Sequence, residues 1–155
     1  MESITQISTC EDVALITLRN SPDDLKFIAR VFRMIADKGI NVDMISQTAP
    51  LGGCIDLSFT VSGEDLGGVL EVFASLRGEY PDLKSDISSG NCKLSIYGES
   101  MRDLPGVAAH AFELIAMSNV DIRLITTSEI DISVLLPKAD FDSVYAQLKN
   151  DFHLR

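Results

Sequence analysis

The stretch SMRDLPGVAAHAFELIAMSNVDIRLITTSE, residues 100–129, decides the fold, because it holds a turn, a helix and a strand in succession. Proline is tolerated in a first helical turn and glycine allows close backbone approach, so Pro105 and Gly106 predict a strand-to-helix turn beside Asp103. From there the apolar pattern has helical spacing, through Val107, Ala111, Leu114, Ile115 and Ser118. The helix is expected to end at Ser118-Asn119, and IRLIT then predicts a strand.

The same turn is a candidate anion site, because the first N–H groups of a helix have no partner within it. A ligand carboxylate can rest on the helix start while Asp103 binds an ammonium group. The alternative is an ordinary strand-to-helix turn that binds nothing.

Composition limits the class of protein. The chain has 155 residues, of which 46% are hydrophobic, and a formal net charge of −10. So acidic a surface repels phosphate, which argues against nucleic acid and anionic membranes as partners. We expect neither a signal peptide nor a membrane span. Cys10, Cys54 and Cys92 are odd in number and lack a CxxC spacing, which predicts a reduced, cytoplasmic protein without a disulfide or zinc framework.

An internal repeat is the strongest signal in the sequence. Shifted by 80 residues, residues 16–48 lie over residues 96–128 without a gap, with Ile16 on Ile96 and Asp23 on Asp103. Beyond the hairpin the shift becomes 75, so that CIDLSFTV lies over EIDISVLL. The first hairpin loop, residues 49–53, is therefore expected to be five residues longer than the second.

Each copy is predicted to run strand, helix, strand, strand, helix. In the first copy the predicted strands are residues 13–19, 42–48, 55–61 and 82–88, the helices are residues 22–39 and 64–76, and residues 88–90 link the copies. The side chains expected to be buried are Ile28, Val31, Phe32 and Ile35 in the first helix and Leu66, Val69, Leu70 and Phe73 in the second.

A count of strands predicts the topology. After the last predicted helix, residues 140–150, only DFHLR remains, so the second copy lacks a fourth strand. Residues 4–8, ITQIS, are the spare strand. We therefore predict an α+β fold of two ferredoxin-like βαββαβ units, the first (residues 11–89) inserted in the second (residues 1–10 plus 90–155).

On these residues the chain resembles the tandem ACT regulatory region of aspartokinases. The matching pieces are ITQI, GINVDMISQT, GESMRDLPGVAAHAFE and VDIRLITTSEIDISVLL, and together they span essentially the whole chain. The kinase domain that precedes this region in the family is not expected here, because no Gly-rich loop with a lysine occurs. The resemblance implies a regulatory protein or subunit without catalytic activity of its own and without a cofactor.

What the resemblance implies about function is amino-acid sensing. The expected effector is an end product such as lysine or threonine, held at an ACT–ACT interface of a homodimer that regulates a kinase catalytic chain. One wall of such a site is the first turn of one copy, and the other is the second strand of a partner copy. The ligand-binding residues implied are Asp23, Asp24, Leu25, Lys26, Asn41, Asp43, Gln47, Met101, Asp103, Pro105, Gly106, Val107, Ala108, Asp121, Thr127, Ser128 and Glu129.

The two copies differ at this turn. The second keeps the family pattern, whereas the first has Leu25-Lys26 where Pro-Gly is usual. A β-carbon and a long cation crowd the approach of a ligand to the backbone, so the first site is expected to be altered or lost.

Two other classes of function stay open. An enzyme of the acyl-phosphatase type needs a phosphate-holding loop after the first strand, and Arg19-Asn20-Ser21-Pro22 offers too few donors. His110 is mid-helix and is expected to face solvent, while His153 lies in the tail. The third reading is a ligand-free dimerisation or assembly module for a catalytic partner.

Overall fold

The computed structural model describes residues 3–154. The chain divides into two compact units, which we call the inserted unit, Asp12–Ser89, and the discontinuous unit, formed by residues up to Glu11 together with those from Gly90 onward. The predicted domain limits at residues 1 and 155 lie outside the described residues. The α+β class and the insertion of one unit in the other are confirmed.

The inserted unit has the strand order β2-β3-β1-β4, with β3 antiparallel to both β1 and β2. Its helices α1 and α2 contact each other. The elements that contribute to it are β1 (Gln6–Pro22), α1 (Leu25–Asp37), β2 (Ile45–Gln47), β3 (Cys54–Ser62), a 3-10 turn (Gly63–Asp65), α2 (Leu66–Arg77) and β4 (Lys84–Tyr97).

The discontinuous unit has the strand order β1-β4-β6-β5, with β6 antiparallel to both β4 and β5. Besides the first part of β1 and the last part of β4, it contains a 3-10 turn (Glu99–Arg102), α3 (Val107–Met117), β5 (Leu124–Thr127), β6 (Asp131–Pro137) and α4 (Lys138–Asp151).

The start of the chain completes the sheet of the discontinuous unit, as predicted. The Thr5 N–H donates to the Tyr97 carbonyl at 2.9 Å, and Ile4 is fully buried in the core of this unit. Gly98 lies against the same segment, since a Cβ added there would lie 1.9 Å from the Ser3 carbonyl oxygen. Glycine is therefore required by the close approach of the two backbones.

Each unit has its own apolar core between sheet and helices. In β3 the alternation of Ile55, Leu57, Phe59 and Val61 buries one face against the helices, as period-2 patterning predicts. The prediction for Leu70 was wrong: it is 41% exposed, and Val72 and Leu76 are buried instead. Ile28, Phe32 and Leu66 are only partly buried at the edge of this core.

Two predicted breaks lie inside continuous strands. Residues 4–8 and 13–19 were expected as separate strands, yet β1 starts at Gln6 and continues without interruption through residues 13–19, and the predicted link at residues 88–90 lies within β4. Asp12 and Gly90 adopt positive φ angles of 52° and 69°, which local rules associate with turns. Pairing between neighbouring strands outweighs that local preference and leaves irregular positions within the strands.

The gap-free repeat is correct for the helices and wrong by two residues for the first strand. Thr17 pairs with Ser58, and in the other unit Ser95 pairs with Ser133, so these strands are related by a shift of 95 − 17 = 78 rather than 80. Ile16 therefore corresponds to Leu94 and not to Ile96. The discontinuous unit uses the two additional residues between strand and helix, where its 3-10 turn lies.

The hairpin prediction holds in the sheet register. Ile45 pairs with Phe59, a separation of 14 residues, whereas Ile125 pairs with Val134, a separation of 9 residues. The first hairpin is thus longer by the expected five residues.

Candidate functional site

The start of α3 differs from an ordinary capped helix. Gly106 is the N-cap residue, with φ 90°, and no side chain accepts a hydrogen bond from the first turn. The first intrahelical bond is donated by the His110 N–H to the Gly106 carbonyl at 3.0 Å. Because residues other than glycine are strained at this φ, Gly106 keeps the helix start open. The N–H groups of the first turn are thus free to bind an anion.

A cavity of about 340 Å³, which we call the turn cavity, adjoins this helix start. It lies between the turn before α3 and the hairpin after β5. Its floor is apolar, since Val107 and Ile132 are 9% and 1% exposed. The lining residues are Met101, Arg102, Leu104, Gly106, Val107, Ala108, Thr127, Ser128, Glu129 and Ile132.

Opposite charges flank the cavity. The Arg102 Nε lies 3.2 Å from the Glu129 Oε2, so an ion pair joins the turn to the hairpin. Both side chains are exposed, at 59% and 76%, so the pair is weak and can exchange partners with a ligand. The Ser128 hydroxyl accepts a hydrogen bond from the Ile130 N–H at 3.3 Å. These groups suit binding of a small molecule with a carboxylate and an ammonium group, rather than nucleophilic catalysis.

Part of the predicted second-copy set comes together in this cavity. The residues that line it are Met101, Gly106, Val107, Ala108, Thr127, Ser128 and Glu129. Asp103, Pro105 and Asp121 do not line it, and all three are exposed. Both walls belong to the same unit, and a ligand held between two copies stays a prediction.

Sequence reasoning missed Arg102, Leu104 and Ile132. Arg102 belongs to the MRDLPGV turn and could have been included as the cation next to a predicted carboxylate site. Leu104 lines the cavity and Asp103 does not; both follow the short 3-10 segment Glu99–Arg102. Ile132 is the second residue of β6, and nothing in its local sequence separates it from other core positions.

In the inserted unit, the corresponding helix start is capped by a side chain of the turn that precedes it. The Asp24 carboxylate accepts a hydrogen bond from the Lys26 N–H at 3.0 Å and caps α1. The predicted start of α1 near Pro22 was three residues early, since Pro22 ends β1 and the helix begins at Leu25. Leu25 is 78% exposed, and Asp23 and Lys26 are also exposed. An external anion at this helix start has to displace the Asp24 cap.

The other predicted residues of the inserted unit lie apart from its cavities. Asn41, Asp43 and Gln47 are exposed, and the Asp43 N–H donates to the Thr60 carbonyl at 3.1 Å. The cavities of about 690 Å³ and 330 Å³ in this unit are lined by none of these three residues and by none of the predicted α1 residues.

Residues considered for catalysis have structural partners. The predicted outward position of His110 is confirmed, with 49% of its side chain exposed. Its Nε2 lies 2.8 Å from the Asp151 Oδ2, and its ring packs edge-on against Phe152. Among residues 3–154, no three His, Cys, Asp or Glu side chains are grouped to hold a metal ion. In the same range, no helix has the length and apolar character needed to cross a membrane.

Comparison with known proteins gives one consistent result. A family model described as an ACT domain matches residues 94–152. The aspartokinase of Geobacillus stearothermophilus is 34% identical over 146 residues, which are 93% of this chain and 34% of that protein. Because the chain spans about a third of the length of the curated relatives it matches, it corresponds to one part of them.

Two solved structures match over nearly the full length of their chains. A chain from the crystal structure of aspartokinase alpha and beta subunits superposes with a TM-score of 0.85 at 34% identity, covering 97% of this chain and 99% of that one. The regulatory subunit of aspartate kinase from Thermus thermophilus, in its ligand-free form, superposes with a TM-score of 0.80 at 30% identity, covering 94% and 98%.

Proposed function

The chain belongs to the aspartokinase family and corresponds to its ACT-domain regulatory region, and on that premise we propose that it is an allosteric sensor of a free amino acid. The proposed effector is an end product such as lysine or threonine, and the proposed target is an aspartate kinase catalytic chain. In this role the 155 residues regulate and do not catalyse. We further propose a cytoplasmic homodimer formed through pairing of ACT units.

The observation that carries the proposal is the uncapped start of α3 beside the Arg102–Glu129 pair. The helix N–H groups and Arg102 favour a carboxylate, and Glu129 favours an ammonium group. The apolar floor at Val107 and Ile132 accommodates the aliphatic part of an amino acid. A free amino acid matches all three features at once, whereas a simple anion matches only the first.

Regulation requires that the effector bind two arrangements of the protein with unequal affinity. We propose that the amino acid binds the turn cavity, contacts a second ACT unit and thereby stabilises one relative orientation of the two. In that second unit, Asp43 and Gln47 are the residues predicted to contact the amino acid. A copy-to-copy angle that is the same with and without the effector would count against this mechanism.

A thermal-shift and calorimetric screen of the twenty amino acids tests the proposal. An effector present at 100 times its dissociation constant adds about 2.7 kcal/mol of stability. Glu129→Gln is expected to weaken binding about tenfold, because it removes the charge that pairs with the ammonium group. Glu64→Gln is the matched control, since it removes the same charge from an exposed position that does not line the cavity.

The alternative is a ligand-free assembly module, and exposed apolar side chains support it. Ile45 and Ile125 occupy equivalent positions on the edge strands β2 and β5 and are 50% and 44% exposed. Leu25 and Leu51, in the inserted unit, are 78% and 84% exposed. A flat response to all twenty amino acids, with a dimer present by light scattering, favours this alternative. Capture of a kinase chain from the native cell then tests the assembly.

A further inference from the structure

The largest cavity described above is in the inserted unit and shares no lining residue with the turn cavity. Its volume is about 690 Å³, twice that of the turn cavity and within the range of small-molecule sites. We call it the loop cavity, because most of its lining comes from the loop between α2 and β4. It is lined by Asn20, Pro22, Cys54, Glu79, Tyr80, Pro81, Asp82, Leu83 and Lys84.

The loop that forms this cavity is held in one conformation. Residues 80–83 form a turn closed by the Leu83 N–H and the Tyr80 carbonyl at 3.1 Å, with proline at the second position. The Tyr80 N–H donates to the Leu76 carbonyl at 2.9 Å, and its ring packs edge-on against Phe27 at 4.7 Å between centroids. Leu83 is 5% exposed, so the turn is anchored in the core. A binding site on this loop is preorganised.

The opposite wall is shaped by a β-bulge. Leu18 pairs with Leu57 and Ser21 with Ile55, so two residues of β1 face a single residue of β3. Asn20, at the bulge, has a positive φ of 55° and lines the cavity. Bulges of this kind redirect a side chain at the end of a strand.

Three charged side chains line the loop cavity, and only one of them, Glu79, has a partner among the residues that the structure describes. Glu79 is bound by both terminal nitrogens of Arg30, so its carboxylate already has a partner. The side chains of Asp82 and Lys84, by contrast, form no hydrogen bond or ion pair with any residue in the range 3–154. One carboxylate and one ammonium group are therefore available at the same cavity.

We propose that the loop cavity is a second small-molecule site, which takes a small zwitterion. Asp82 binds the ammonium group of the ligand and Lys84 binds its carboxylate. Pro22 and Leu83 contact the apolar part. This site is independent of the proposed amino-acid site beside α3, because the two share no residue.

The test uses the full chain labelled with nitrogen-15 and the twenty free amino acids as probes. Each probe is present at about 10 mM, enough to occupy a site with a millimolar dissociation constant. The expected result is that at least one probe shifts the backbone amide signals of Asn20, Leu83 and Lys84. The N-acetyl and the amide derivatives of that probe each lack one charge and are expected to bind about tenfold more weakly. Absence of any shift at these amides with all twenty probes overturns the proposal.

Variants assign the charges. Asp82→Asn and Lys84→Met are each expected to weaken the shifting probe about tenfold, and the double variant more than either. Asp37→Asn is the matched control, because it removes the same charge from an exposed position of the inserted unit outside the cavity. Equal affinity in the wild type and in both single variants overturns the proposal.

The same spectra separate this site from the turn cavity. Binding there shifts the amides of Gly106, Val107 and Ala108 and responds to Glu129→Gln. Binding in the loop cavity responds to Asp82→Asn and Lys84→Met and leaves those three amides unchanged. Failure of one site is therefore visible independently of the other.

Discussion

The hydroxyl oxygens of Thr17 and Ser58 lie 2.9 Å apart and form a hydrogen bond between β1 and β3. The other unit repeats this pair, with the Ser95 and Ser133 hydroxyls 2.8 Å apart between β4 and β6. Ser133 also donates to the Asp131 carboxylate at 2.8 Å, so it accepts from Ser95. The repeated hydroxyl pair defines equivalent positions of the two sheets better than the gap-free sequence repeat does.

Ser133→Ala is expected to destabilise the protein more than Ser58→Ala does. Ser133 is 3% exposed and takes part in two hydrogen bonds, to the Ser95 hydroxyl and to the Asp131 carboxylate, whose joint loss costs about 1–3 kcal/mol. Ser58 is half-buried and its loss costs about 0.5–1.5 kcal/mol. Urea unfolding measures both, with the exposed Ser143→Ala as control. Equal losses for Ser133 and Ser58 contradict the network.

Gly98→Ala is expected to displace the start of the chain from the sheet of the discontinuous unit. The added Cβ would meet the Ser3 carbonyl oxygen at 1.9 Å, and backbone cannot yield as a side chain does. We expect a loss of several kcal/mol, on the order of the large overpacking effects. Hydrogen exchange checks it: the Thr5 amide loses protection. Unchanged protection at Thr5 argues against the close approach.

Two adjacent glycines of α2 are expected to respond differently to alanine. Gly67→Ala meets no atom within 4 Å and should raise the free energy of unfolding by about 0.5–1 kcal/mol, because alanine favours helix. Gly68→Ala brings a Cβ to 2.7 Å from the Ile40 Cδ1, so Ile40 must move and the gain is lost. Thermal unfolding of the two variants is the measurement, and equal gains are incompatible with this packing.

Acid is expected to weaken two ion pairs of the inserted unit. The hydrogen bond from Lys38 lowers the pKa of Glu71, and that from Arg30 lowers the pKa of Glu79. A carboxylate with a lower pKa in the folded state stabilises the protein above its unfolded pKa of about 4.3, and this contribution is lost as pH falls through the folded value. Unfolding measured from pH 3 to pH 6 should show a shallower acid loss in the Glu71→Gln, Glu79→Gln double variant. Identical profiles would exclude a role for these pairs.

The three thiols are expected to react in the order of their exposure. Cys10 is exposed, Cys54 is half-buried and Cys92 is buried. Burial raises the pKa of the Cys92 thiol, which further reduces its thiolate fraction. Alkylation followed by mass spectrometry should modify Cys10 first, Cys54 more slowly and Cys92 only in denaturant. Early modification of Cys92 in the native protein would contradict the buried position.

Sequence reasoning predicted the features that depend on repeated patterns. The alternation in β3 and the helix spacing of Val107 and Ile115 follow from burial of one face of each element. The strand supplied from residues 4–8 follows from the count of strands in the two copies. It failed where neighbouring strands determine the conformation. Gly90 was predicted in a link and Asp12 lay between two predicted strands, but both lie within continuous strands, and no local signal shows that pairing.

The candidate site was only partly predictable for a related reason. The MRDLPGV motif identified the turn, and Gly106 and Glu129 line the cavity. Which side chains of a turn line a cavity depends on backbone dihedral angles that the motif does not specify, and here Leu104 lines it whereas Asp103 does not. The loop cavity had no sequence signal, because its walls are far apart in the chain.

The start of the chain belongs to a sheet whose other strands are translated last. When Ser89 has been synthesised, the inserted unit has all of its residues, whereas residues 4–8 still await the last part of β4, where the Tyr97 carbonyl accepts a hydrogen bond from the Thr5 N–H. Domains that emerge first generally fold first, so the inserted unit is complete while the N-terminal strand still has an open edge. Residues 4–8 are thus synthesised before the inserted unit but paired only after it, and a nascent chain has to keep that edge from pairing wrongly until the elements after Ser89 have emerged.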